Sequence, residues 1–166
     1  TDPHRIGDIH MRLADIDGQG GLDVVTANRE SGSITILLNP GDGTLESAGS
    51  TFCGPQPGAL AVGDVDGDAD LDFVVANHVA AGTLSVLRNE GDGLAALATI
   101  IPVGNRPSAV GIGRLNPDAL PDLVVGYRTP DNNNALLAAS FNNGGGAFGP
   151  VVGEAATFGL PGAVVV

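Results

Sequence analysis

Residues 63–77 read GDVDGDADLDFVVAN: five aspartates, Asp64, Asp66, Asp68, Asp70 and Asp72, on alternate positions of a nine-residue stretch that runs directly into an apolar segment. The arrangement returns on both sides. Residues 14–28 read ADIDGQGGLDVVTAN and residues 113–127 read GRLNPDALPDLVVGY, so Asp64 follows Asp15 by 49 residues and Arg114 follows Asp64 by 50. Two more landmarks recur with it. LLNPGDGTL (37–45), LRNEGDGLA (87–95) and SFNNGGGAF (140–148) follow the acidic stretches, while GPQPGALAVG (54–63) and GNRPSAVGIG (104–113) precede the second and third. GLPGAVVV (159–166) matches that last landmark and begins a fourth unit. Self-similarity at such a period marks a tandem structural repeat.

Each unit reads as four short strands. Ala59–Gly63 is small and apolar and suits a crowded inner strand. Phe73–Ala76 is continuously apolar, as a strand covered on both faces requires. Thr83–Leu87 alternates and suits a half-buried strand, Asn89-Glu-Gly-Asp-Gly is a turn, and Leu97–Val103 supplies the outer strand. The third unit is poorer, with a weak strand at Leu136–Ser140 after a longer loop at Asp131-Asn-Asn-Asn. Four strands repeated about every 50 residues predict a β-propeller rather than a β-solenoid, whose coils are shorter. The expected fold is therefore all-β: a propeller fragment of three four-stranded blades (about 9–57, 58–107 and 108–160) and the first strand of a fourth (161–166). Closure takes about 4–8 blades. The open flanks are expected to meet the remaining blades of a larger propeller or a second copy.

Composition narrows the function. The 166 residues hold 26 Gly, no Lys, seven Arg and 19 acidic residues, for a net charge of −12. That balance disfavours nucleic acid and anionic membrane as partners and suits a cation. A single cysteine, Cys53, excludes an internal disulfide, and no uncharged apolar run is long enough to span a bilayer. The chain opens at Thr1 without a signal peptide and reads as a processed or excised piece.

The acidic loops carry the chemistry. Five carboxylates within nine residues repel unless a cation sits among them. Oxygen donors at this spacing suit Ca²⁺, which takes 6–8 oxygens, better than Mg²⁺ with its tight octahedron, and zinc would call for His or Cys. Loop one offers Asp15, Asp17 and Asp23 with neutral Gln19 at the fifth position, and is expected to bind Ca²⁺ more weakly. Loop three offers Asn116, Asp118 and Asp122 behind Arg114, whose guanidinium is expected to pair with Asp118 or Asp122 and take the metal's place. An EF-hand is excluded, because Ala69 and Val75 stand where its loop needs Gly and Glu, and the flanks are strands.

The acidic loop followed by LDVVTAN or LDFVVAN, with an apolar strand ending in LLNPGDG or LRNEGDG, resembles the FG-GAP and VCBS repeat family, the calcium-binding blades of integrin-α-type propellers. The likeness covers the chain from Ile9 to Val166, although Phe52-Cys53-Gly54 only approximates the Phe-Gly that names the family. It implies that the acidic loop joins the innermost strand to the second and that the metal holds this hairpin. Its ligands would be Asp64, Asp66, Asp68 and Asp72, and Asp15, Asp17 and Asp23, with Asp70 or Gly21 giving a carbonyl.

Strand parity places the acidic loops and Gly-Asp-Gly turns on one face. The other face carries Asn28, Arg29, Glu30, Gln56, Asn77, His78, Asn105, Arg106, Tyr127 and Arg128. In related propellers this face, or a cleft between blades, binds protein or sugar. Asn28, Arg29, Asn77, His78, Tyr127 and Arg128 are thus the ligand-face candidates, with Arg29, His78 and Arg128 at equivalent repeat positions. No catalytic pattern emerges: His4, His10 and His78 fit no zinc or nucleophile motif, and Cys53 aligns with apolar Val103. The expected protein is a calcium-binding propeller module of a secreted or cell-surface protein, non-enzymatic, binding protein or carbohydrate. A structural scaffold, or the propeller portion of a polysaccharide- or lipid-active extracellular enzyme, is the alternative.

Overall fold

A computed structural model describes residues 9–131 and 134–156, and every regular element in them is a strand. The start of the expected fourth unit at 161–166, the middle of the Asn-rich loop, and His4 lie outside the described residues. The first blade pairs β1 (Ile9–Ala14), β2 (Asp23–Asn28), β3 (Ser33–Leu38) and β4 (Glu46–Phe52) in sequence order, all antiparallel. The second is built from β5 (Pro57–Gly63), β6 (Asp72–Asn77), β7 (Gly82–Arg88) and the first half of β8 (Ala96–Gly113). The third takes the second half of β8 with β9 (Asp122–Arg128), β10 (Ala135–Ser140) and β11 (Val152–Ala156). The chain is an all-β fragment of a propeller.

Strand β8 departs from the simple four-strand reading. It runs unbroken for 18 residues and changes partner midway, Gly104 pairing with Gly82 of β7 and Asn105 with Arg128 of β9. The outer strand of one blade thus becomes the inner strand of the next, and the two blades are joined into one seven-stranded sheet.

Packing follows the apolar pattern. Strand β6 is buried at every residue. Its alternate side chains serve two interfaces, as the period of two dictates. Phe73 and Val75 pack on Val25, Ile34 and Ile36 of the first blade, whereas Val74 and Ala76 pack on Val110, Leu123 and Val125 of the third. The matching strand β2 alternates between buried and half-buried, because only one of its faces meets another described blade. A side chain of this kind, fully buried, contributes about 1.5–3 kcal/mol. The register is the same wherever it matters for the site. Each acidic loop is closed by an equivalent pair, Ala14 opposite Asp23, Gly63 opposite Asp72 and Gly113 opposite Asp122.

Candidate functional site

The three loops share one anchor. The ninth-position aspartates Asp23, Asp72 and Asp122 are fully buried. Each accepts on one oxygen from the backbone N–H of the loop's second residue: Ile16 at 2.7 Å, Val65 at 2.9 Å and Leu115 at 3.0 Å. The other oxygen accepts from the N–H of an asparagine in the turn after the third strand: Asn39 at 2.7 Å, Asn89 at 3.0 Å and Asn142 at 3.0 Å. The carboxylate therefore staples the acidic hairpin to its neighbouring turn, which is why both lie at the same end of the blade. Burial pushes the Asp72 carboxyl up to about 6, helped by the charges of Asp66 and Asp68 and opposed by its two backbone hydrogen bonds.

Two of the loops gather acids beyond this anchor. Asp15, Asp17 and Asp23 each bring a carboxylate oxygen within 4.8 Å of the others, and Asp64, Asp66 and Asp72 do the same. The backbone curls around these oxygens: Asp15 accepts from Gly20 N–H at 2.9 Å, and Asp64 from Gly67 at 2.7 Å and Ala69 at 3.1 Å. The curl needs left-handed backbone at the fourth and sixth positions, found at Gly18 and Gly20 and at Gly67 and Ala69. One oxygen of Asp15, Oδ1, is buried and has no hydrogen-bond partner. A buried, unpartnered carboxylate oxygen beside two further carboxylates is costly unless a cation completes it. These all-oxygen sets fit a hard metal ion.

Other expected ligands sit further out. Asp68 is exposed and accepts from Asp70 N–H at 2.9 Å, Gln19 is exposed, and the Asp70 carboxylate lies over Gly91 of the adjoining turn. Gly21 lies against Asn39, where an added Cβ would stand 2.6 Å from the Asn39 carbonyl oxygen.

Loop three is different in kind. Pro117 occupies the fourth position, and its ring forbids the positive φ that Gly18 and Gly67 adopt. Asn116 Nδ2 donates to Asp118 at 2.8 Å, and both oxygens of Asp122 are engaged by backbone. The expected pairing of Arg114 is not found. That side chain is exposed and makes no ion pair with Asp118 or Asp122, whose oxygens already have nearer donors. The arginine that does enter an acidic loop is Arg88, at the end of β7. Its Nε lies 3.3 Å from Asp66, and its Nη2 donates to the Gly145 carbonyl of the third blade's turn. Nothing in the repeat pattern marks it, since Leu38 and Phe141 hold the equivalent positions.

The turn asparagines were legible only as turn residues, yet they link the blades. Asn89 Nδ2 donates to the Ile16 carbonyl of loop one at 2.9 Å, and Asn142 Nδ2 to the Val65 carbonyl of loop two at 2.7 Å. Ile16 and Val65 themselves are wedged into the blade interfaces. The recurrence of Asn39, Asn89 and Asn142 just after the third strand of each blade is the signal in the sequence.

An FG-GAP-like repeat model matches residues 15–75 and again residues 64–125, the two spans overlapping on loop two. The chain belongs to the FG-GAP-like repeat family. No curated protein matches its sequence. Among solved structures, the chain is similar to an Agrocybe aegerita lectin described by its specific recognition of non-reducing terminal N-acetylglucosamine, at 22% identity and a TM-score of 0.58. The likeness covers 89% of this chain and 38% of the lectin, so the chain spans well under half of the lectin's length.

At the opposite end of the FG-GAP-like blades, the six ligand-face candidates divide. Three are absorbed by the fold. Asn28 Nδ2 donates to Thr35 at 2.8 Å. Asn77 is buried, its Nδ2 shared among Thr83, Ser85 and the Cys53 carbonyl. Tyr127 is turned inward against Gly104, where an added Cβ would stand 2.6 Å from its ring. Asn77 and Tyr127 face neighbouring blades and Asn28 bonds within its own, so all three are structural groups. Arg29, His78 and Arg128, by contrast, line one cleft of about 420 Å³ together with Gln56, Val79, Ala80 and Arg106. His78 Nδ1 lies 3.0 Å from the Pro107 carbonyl, which makes it the protonated nitrogen. Cys53 is fully buried, and burial pushes its thiol up to about 12.

Proposed function

We propose that this chain is a calcium-binding propeller module of a secreted or cell-surface protein, acting in ligand binding or adhesion without catalysing a reaction. The observation that carries the reading is the pair of three-carboxylate clusters closing the first two blade hairpins, one of them with a buried, unpartnered oxygen. Ca²⁺ is the hard cation that accepts many carboxylate and carbonyl oxygens in flexible geometry. Its role is to neutralise the charges that the hairpin forces together, and so to stiffen the blades. Extracellular calcium modules work at about 10⁻⁴–10⁻³ M, concentrations that favour a site outside the cell. The membership in the FG-GAP-like family supports the same ion.

The ligand is a carbohydrate or a protein, and a carbohydrate is the first class to test, since a lectin shares the fold. Remaining propeller blades or a second copy would cover the flanks. The non-enzymatic reading is supported by Cys53 being sealed in the core as a thiol and by His78 spending a ring nitrogen on a backbone carbonyl. Calorimetric titration of calcium into the chelator-stripped chain tests the reading. Two sites are expected, each removed by its own variant, Asp17→Ala or Asp66→Ala. Titration without heat or with retained sites in both variants would contradict it.

A further inference from the structure

The basic residues of this acidic chain are not scattered. Three of its seven arginines, Arg29, Arg106 and Arg128, line one cleft at the end opposite the acidic loops, together with His78. Each comes from a different place: Arg29 from the turn after β2, Arg106 from the link between the second and third blades, and Arg128 from the end of β9. Three guanidinium groups around one cleft make its local field positive, and an anion is the ligand such a field attracts. Among the described residues the sole ion pair is Arg88 with Asp66, on the other face. In the cleft, Arg29 donates to neutral Gln56 at 3.2 Å, and no carboxylate pairs with Arg29, Arg106 or Arg128.

The backbone is bent to present these groups. Gln56 and Arg106 occupy equivalent interblade links 50 residues apart and both have positive φ, 51° and 50°. Left-handed backbone at a non-glycine residue is strained, and such strain concentrates at ligand clamps. Here the strain turns a polar side chain into the cleft where glycine would serve the turn as well. The field reaches His78: burial first, then the charges of Arg29, Arg106 and Arg128, hold its imidazole below the usual range, against the Pro107 carbonyl that raises it.

We infer that this cleft binds the carboxylate of an acidic sugar unit, the guanidinium forks of Arg29, Arg106 and Arg128 taking its oxygens and Gln56 and His78 the neighbouring hydroxyls. Guanidinium matches a carboxylate in paired, planar hydrogen bonds. A cleft of about 420 Å³ with Val79 and Ala80 as its only apolar walls suits a hydroxylated ring better than an apolar anchor. The inference rests on the ligand-binding reading above and adds the charge of the ligand and the place where it binds.

The test is titration of the calcium-loaded chain with glucuronate, glucose, N-acetylglucosamine and an aspartate-rich peptide, followed by heat or amide chemical shift. Glucuronate is expected to bind, glucose at least tenfold more weakly, and binding should weaken with added salt. Arg106→Gln and Arg128→Gln should each lower glucuronate affinity at least fivefold, with Arg12→Gln on β1 as the unaffected control. Calcium titration of the same variants should be unchanged, which separates a lost cleft from a lost fold. Binding of neutral N-acetylglucosamine in preference to glucuronate would overturn this inference while leaving the module reading intact. So would tighter binding of the peptide, or glucuronate binding indifferent to both arginine variants.

Discussion

Each ninth-position aspartate does two jobs that the other loop acids do not. Asp122 makes both backbone hydrogen bonds in loop three, where Asp118 is the loop's one other acid and no three-carboxylate group forms among the described residues, so the staple works without such a cluster. Replacing Asp122 by Ala leaves two N–H groups unpaired and is expected to cost about 2–4 kcal/mol in urea unfolding, with or without calcium. Asp66→Ala should differ in kind, abolishing a calcium site while costing little in chelator; Asp118→Ala should leave calcium affinity unchanged. Calorimetry beside urea titration separates the three. At the other face, His78 has a testable sign. Its folded imidazole is held below the ordinary range by burial and by Arg29, Arg106 and Arg128. The unfolded chain therefore takes up the proton first, at about pH 6.5. The contribution is whole above that pH and is lost as the pH falls through it toward the folded value. In saturating calcium, the stability lost between pH 7.5 and 5.5 should be smaller for His78→Asn than for the unaltered chain.

At the scale of the element, the blade interface is held by an asparagine reaching across it as well as by apolar packing. The side-chain amides of Asn89 and Asn142 each donate to a carbonyl of the preceding blade's acidic loop, whereas that of Asn39, on the first blade, donates to Leu22 of its own blade. Asn89→Ala and Asn142→Ala are expected to lower stability by about 1–3 kcal/mol, and Asn39→Ala by less, in matched denaturation curves. Phe73→Ala, in the strand buried on both faces, should cost about 3–5 kcal/mol. These elements also show what the sequence could reveal. The apolar run after Asp72, the alternation in Thr83–Leu87 and the turn glycines are local signals, and the strands lie where those signals put them. The continuity of β8 was not legible, because Gly104-Asn-Arg-Pro reads locally as a break, and only pairing to β7 and β9 keeps it extended. Arg88 and the blade-linking asparagines were hidden for the same reason: their partners are 57 and 73 or more residues away. Strand parity did sort the loops onto faces, but it could not tell inward-facing Asn77 and Tyr127 from cleft-lining Arg29 and Arg128.

For the whole molecule, the repeating contacts leave matched loose ends. Ile16 and Val65 are wedged between blades, but their counterpart Leu115 is 45% exposed, and Met11 and Leu13 are open on the first blade. An apolar groove formed by Val124, Leu137, Phe141 and Val152 lies on the third blade. Flanks of this kind are expected to draw the 166-residue chain into concentration-dependent association in sedimentation, weakened by Leu137→Lys. Calcium should also stabilise the ensemble by mass action: at ten times the dissociation constant, each site adds about 1.4 kcal/mol, visible as a raised melting temperature that chelator reverses. The most direct test is diffraction from crystals grown in millimolar calcium. Density should appear in the first two hairpins, among the oxygens of Asp15, Asp17 and Asp23 and of Asp64, Asp66 and Asp72, at about 2.3–2.6 Å from them. Water-filled or collapsed hairpins under that condition would contradict the account.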